Sequence, residues 1–112
     1  MYFDYLRERE PDTHILERDY GFALYQELTY HGERAVYIKD IYVLPEFREQ
    51  HKATEMSEEI QKIAKDNDIK YLLGSVAPSA EGSHRSLLVL LAHGMRLEES
   101  GPDLIWFVKE ID

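Results

Sequence analysis

Between Ala35 and Val76 the chain reads as strand, loop, amphipathic helix and strand, and few folds accommodate that succession. Val36-Tyr37-Ile38-Lys39-Asp40-Ile41-Tyr42-Val43 is rich in β-branched and aromatic residues. It stops at Leu44-Pro45-Glu46, because Pro45 brings no amide hydrogen to a strand ladder. Across Lys52 to Lys65 the apolar residues Ala53, Met56, Ile60, Ile63 and Ala64 recur at helical spacing, while Glu55, Glu58, Glu59, Lys62 and Lys65 take the other face. After Asn67-Asp68 a short apolar strand runs from Ile69 to Val76. The order predicts a right-handed crossover between parallel strands, with Tyr42 and Leu73 on neighbours.

Upstream, Tyr20 to Tyr30 and Ala35 to Leu44 flank His31-Gly32-Glu33-Arg34, whose turn chemistry predicts an antiparallel hairpin. Residues 1–14 mix Tyr2, Phe3 and Tyr5 with charges before Pro11-Asp12, a pattern compatible with either a short helix or an edge strand. Downstream, Pro78 to His84 reads as a loop and Arg85 to His93 as a short apolar helix ended by Gly94. Asp103 to Ile111 reads as a final strand, with Met95 to Ser100 as an optional further one. From residue 20 the order is β-β-α-β-α-β, a mixed α/β (α+β) fold.

A chain of 112 residues suits one domain spanning 1–112. Its formal charge of −9 disfavours phosphate backbones and anionic lipid, so neither nucleic acid nor membrane is expected as a partner, and the acidity suits a cationic partner or simple solubility. The apolar run Ser86 to Ala92 is too short for a membrane span, and Met1 is followed by Tyr, Phe and Asp rather than by a basic leader. The absence of cysteine removes disulfides and thiolate chemistry and fits a reducing cytoplasm. The histidines His14, His31, His51, His84 and His93 share no helix-facing ligand spacing, so no metal is expected.

The stretch Tyr42-Val43-Leu44-Pro45-Glu46-Phe47-Arg48 and the helix after it resemble GNAT-type N-acetyltransferases. In that family the strand ends in V-x-P-x-(Y/F)-R, followed by a loop of the form (Q/R)-x-x-G-x-(G/A). Val43 to Ala53 supplies Val, Pro, Phe, Arg and the closing Ala in register. Ile63-Ala64-Lys65, Tyr71 to Val76, Gly94-Met95 and Ile105 to Lys109 extend the likeness over about residues 20–112. The family has a strand and two helices upstream, so the chain looks like an N-terminally shortened form, similar to small GNAT-like proteins carried by tailed bacteriophages.

The resemblance implies acetyl transfer from acetyl-CoA to a primary amine. It implies that the pantetheine arm pairs with the backbone of Ile41, Tyr42 and Val43, and that the pyrophosphate meets the loop Arg48, Glu49, Gln50, His51, Lys52, Ala53 and Thr54. A turn opening a helix suits that anion, since unpaired amides and the positive dipole end converge there. His51 occupies the loop's glycine position, Glu49 adds a carboxylate, and Leu90 stands where the family has a proton-donating tyrosine. Tyr37, Asp40 and His84 are the catalytic candidates by residue type, with Ser83 and Glu27 beside them. The same departures fit a second reading, a GNAT-fold module without turnover that acts through protein contacts. An exposed sheet edge would suit a homodimer.

Overall fold

The computed structural model describes residues 1–76, 94–100 and 105–111. Helix α1 (Tyr2–Arg9) leads into β1 (His14–Arg18), β2 (Gly21–Tyr30) and β3 (Glu33–Val43), and a single 3-10 turn at Pro45–Phe47 leads to α2 (Lys52–Asp66). Strands β4 (Tyr71–Val76), β5 (Arg96–Ser100) and β6 (Ile105–Glu110) complete the described elements. The open question at the N-terminus resolves as a helix, followed by an edge strand that pairs antiparallel with β2. The expected loop Pro78 to His84 and helix Arg85 to His93 lie outside the described residues, and so do the candidates Ser83, His84 and Leu90.

The hairpin forms with a tighter turn than its composition suggests. Only His31 and Gly32 connect β2 to β3, and both take positive φ, 48° and 79°, the geometry of a type I′ turn. Glu33 and Arg34 therefore belong to β3, paired with Tyr30 and Thr29.

The six strands form one sheet in the order β1-β2-β3-β4-β6-β5. Strand β3 runs parallel to β4, as the crossover through α2 requires, and the other described pairings are antiparallel. The fold is thus the mixed sheet expected from the sequence, with β5 added at the edge. No helix among the described residues is long and apolar enough to cross a membrane.

Helix α2 covers one face of the sheet because its apolar stripe has nowhere else to go. Met56, Ile60 and Ala64 are fully buried in one cluster with Val36, Ile38, Leu72 and Phe107. Each large side chain buried this way stabilises the fold by about 1.5 to 3 kcal/mol before entropy is counted. A smaller cluster of Ala35, Leu73 and Val108 lies under Leu28, Tyr30, Tyr37 and Tyr71. Helix α1 joins through rings, with Phe3 edge-on to Phe22 at 5.2 Å and Phe22 against Tyr42 at 5.6 Å. Lys39 anchors the α1–β1 connection by ion pairing to Glu10 and donating to Thr13 Oγ1 at 3.2 Å. Of the hairpin tyrosines, Tyr20, Tyr25, Tyr30 and Tyr37 pack against the two clusters, whereas Tyr42 is exposed.

Candidate active site

Strands β3 and β4 begin side by side and then part. Their register runs from Ala35↔Tyr71 to Ile38↔Gly74 and goes no further, although both strands continue. The cause is visible on the other side of β3. Pairing with β2 passes from Leu24↔Asp40 to Tyr25↔Ile38, so Lys39 is an extra residue, a bulge that bends β3 where its contact with β4 ends.

The bulge leaves the last part of β3 with one open edge. The Leu44 amide donates to the Tyr20 carbonyl at 2.8 Å, so Leu44 faces β2. Backbone direction alternates along a strand, so Ile41 and Val43 turn their N–H and C=O groups the opposite way, toward the splay. Tyr42, expected to contribute its backbone there too, shares the direction of Leu44 and turns its backbone toward Phe22 of β2, with its ring exposed. Gly21 makes this arrangement possible. A Cβ there would lie 2.0 Å from the Tyr42 carbonyl oxygen, so any larger residue displaces the end of β3.

The loop from Arg48 to the start of α2 closes one end of the splay. Arg48 donates from Nε to the Val43 carbonyl at 3.0 Å, and its guanidinium lies 5.8 Å from the centre of the Tyr42 ring. The expected phosphate-binding arginine is therefore also a clamp on the end of β3. Gln50 donates to the Glu46 carbonyl at 3.2 Å, and Lys52 sits 3.5 Å from Glu55 and 5.1 Å from the Tyr20 ring. Burial pushes the Tyr20 hydroxyl above its ordinary range, which keeps it a neutral phenol beside the loop.

The loop backbone is the most unusual part. Glu49 and His51 both take left-handed φ, 66° and 59°, which costs a non-glycine residue about 1 to 2 kcal/mol each. An ordinary helix start places Ser, Thr, Asp or Asn in an extended N-cap whose oxygen accepts an amide. His51 is instead a left-handed N-cap that makes no side-chain capping bond. The first helical bond runs from the Glu55 amide to the His51 carbonyl at 3.0 Å. The amides of Lys52, Ala53 and Thr54 precede it and have no acceptor within the helix. The left-handed His51 followed directly by the helical Lys52 sets successive N–H groups in a concavity suited to an anion, and the positive end of the α2 dipole adds to it.

The other candidates are less concentrated. Tyr37 lies one residue before the point of divergence, and its hydroxyl is 2.7 Å from Ser75 Oγ on β4. Asp40 is exposed on β3 beyond the bulge. Glu27 is tied at the far end of α2, where Arg34 donates to both its oxygens at 3.0 and 2.9 Å, and this holds its carboxyl below the usual range. It is a strap rather than a base. The bulge, the Tyr37–Ser75 pair and the left-handed loop have no signature in the sequence.

A model of the acetyltransferase (GNAT) family matches residues 2–87, well over half of the chain, and the chain belongs to that family. Among solved structures, a GNAT-family protein from Desulfovibrio desulfuricans superposes with a TM-score of 0.78 at 17% identity, covering 99% of this chain and 77% of its own. A Bacillus subtilis acetyltransferase in complex with CoA gives 0.73 at 11% identity, covering 96% and 82%. A GNAT-family acetyltransferase from Elizabethkingia anophelis with acetyl-CoA bound gives 0.71 at 15%, again covering 96% and 82%. At such identities the likeness is one of fold. No curated protein sequence matches the chain.

Proposed function

We propose that this protein is an N-acetyltransferase that binds acetyl-CoA in the splay between β3 and β4 and transfers the acetyl group to a primary amine. The observation that carries the reading is the loop at Glu49 and His51. It keeps a backbone suited to glycine although glycine is absent, and among the described residues no side chain caps the first amides of α2. That donor set fits a pyrophosphate, and the edge left at Ile41 and at the Val43 N–H, whose carbonyl already accepts from Arg48, fits an amide-bearing arm. CoA and acetyl-CoA bound to the Bacillus and Elizabethkingia proteins support the same assignment.

When bound, acetyl-CoA supplies an activated acyl group with a thiolate leaving group. The chain's part is positional. Ile41 and Val43 orient the arm, the amides of Lys52 to Thr54 hold the anion, and Arg48 fixes the end of β3 on which both depend. Holding two reactants in line lowers the barrier without a dedicated base. Arg48 and Lys52 have protein partners already, so binding rests on main-chain amides more than on basic side chains.

Leu90 favours a second reading, a non-catalytic module acting through protein contacts, because a leucine has no proton to give. Calorimetry with acetyl-CoA, paired with mass spectrometry of a panel of amines, separates the two. Micromolar binding with a mass gain of one acetyl group on an amine supports the enzyme. Absence of both heat and thermal stabilisation overturns it.

A further inference from the structure

A cavity of about 180 Å³ opens at the C-terminal end of α2, on the sheet face that the helix covers. It lies along α2 roughly 15 to 20 Å from the amides of Lys52 to Thr54, so it is no part of the splay. Its floor is apolar, since Val36, Ala64 and Ile69 are buried members of the main cluster. Its wall is aromatic, with the His14 ring stacked on that of Tyr25 at 5.2 Å. At the mouth Ile63 stays 37% exposed, although Met56, Ile60 and Ala64 on the same stripe of α2 are fully covered. An apolar cavity of about 150 Å³ holds a benzene ring, so a group the size of a leucine or phenylalanine side chain fits here.

The rim carries one charge of each sign. Arg34 spends its Nε proton and one on Nη2 on Glu27, and one on Nη1 on the Asn67 carbonyl, which leaves two of its five N–H groups. Glu27 accepts one bond on each oxygen and keeps a lone pair on each. Among the described residues the Tyr25 hydroxyl and Asn67 Oδ1 make no hydrogen bond, and both residues line the cavity. Because the two charges stand 2.9 and 3.0 Å apart at their contacts, a ligand with a single charge is repelled by one while the other attracts it. A ligand that carries both charges meets a partner for each.

We propose that this cavity binds a free apolar α-amino acid, with its side chain on the floor of Val36, Ala64 and Ile69, its carboxylate on the unspent N–H groups of Arg34 and its ammonium group on Glu27. A peptide terminus keeps only one of the two backbone charges, so the free amino acid is the better match. At this distance from the splay its amino group is a recognition element and not the acetyl acceptor. The site is independent of the acyl-CoA reading. An occupant touches β1, β2, β3 and the last turn of α2 together, so it stabilises the fold by mass action.

The test titrates the full chain with L-leucine and L-phenylalanine, and with the compounds left when one charge is removed: isopentylamine and 4-methylpentanoate, phenethylamine and 3-phenylpropanoate. Amide chemical shifts are the readout. At least one of the amino acids should bind with a dissociation constant of about 1 mM or below and move the amides of Tyr25, Arg34 and Ile63, and its two half-ligands should bind at least about tenfold more weakly. Arg34→Gln should lose about tenfold in affinity. Ile63→Trp fills the mouth from an exposed position, leaves the charge pair intact, and should abolish binding while CoA affinity stays as in the unaltered protein. A half-ligand that binds as tightly as its amino acid overturns the proposal, and so do amino acids that leave every amide unmoved at their solubility limit. Shifts confined to β3 beyond Ile38 and to β4 place the ligand in the splay and overturn it as well. If Arg34→Gln does not fold, Ile63→Trp decides alone, and undiminished affinity there overturns the site. Amino-acid binding by a protein that binds no CoA supports this site and counts only against the cofactor reading.

Discussion

The two ends of α2 are finished in opposite ways. At the C-terminal end the closing turn is held by bonds within the protein. The amides of Asn67 and Ile69 donate to the Ala64 carbonyl at 3.1 and 2.9 Å, that of Asp68 to Lys65 at 3.1 Å, and Asn67 Nδ2 to the Ile63 carbonyl at 2.7 Å. Arg34 then reaches across from β3 to the Asn67 carbonyl at 2.8 Å while gripping Glu27. At the N-terminal end the cap is a left-handed histidine whose side chain makes no capping bond. Both ends contain non-glycine residues at positive φ, Asp68 at 58° and His51 at 59°, so strain alone does not distinguish them. What distinguishes them among the described residues is local bonding: at Asp68 the turn closes the helix through the bonds just named, whereas at His51 no described side chain caps the first amides of α2.

The strongest way to break this contrast is Gly21→Ala. Its Cβ collides with the backbone of Tyr42 and Val43, so the variant should lose about 3 kcal/mol in denaturant unfolding and should no longer bind CoA. Retained affinity would separate the cofactor site from the end of β3. Asn67→Ala removes one side-chain bond at the satisfied end and should cost about 1 kcal/mol while leaving CoA affinity unchanged.

His51→Gly sharpens the comparison from the other side. Relief of the left-handed strain, less the extra freedom glycine has when unfolded, should raise stability by about 0.5 kcal/mol and tighten CoA binding. A destabilised His51→Gly protein would show that the imidazole holds the loop together.

The smallest effect is on pH dependence. Arg34 depresses the Glu27 carboxyl, so its contribution is fully present above the ordinary carboxylate value of 4.5 and is lost as pH falls through the lowered folded value. Glu27→Gln should flatten the acid limb of the stability curve there and leave the curve near neutrality almost unmoved, because the pair is exposed.

The fold was legible because its decisive elements are periodic. Met56, Ile60 and Ala64 mark one face of α2, and Pro45 marks the end of β3. Strand β1 escaped notice since Leu16 is its one buried residue among His14, Ile15, Glu17 and Arg18, too little alternation to register. The location of the loop could be read from Val43-x-Pro45-x-Phe47-Arg48, but its conformation could not, because glutamate and histidine do not advertise left-handed backbone. Ser75 was invisible for a different reason. Only the parallel register brings it to Tyr37 across 38 positions of sequence. Arg48 was expected to face phosphate, and its bond to Val43 shows a second duty that spacing alone does not reveal.

The bulge at Lys39 also divides the sheet into parts with different histories. Strands β1 to β3 are a meander of near neighbours along the chain, whereas β4, β6 and β5 come from its second half and meet the meander along four residue pairs, Ala35↔Tyr71 to Ile38↔Gly74. Pairings within the meander join near neighbours along the chain, whereas those of β4 with β3 and with β6 both join residues about 30 to 40 apart, so the cleft lies where sequence-local and sequence-distant pairing meet. A ligand wedged there spans that seam, so amides flanking it should gain the most protection from hydrogen exchange when it is filled.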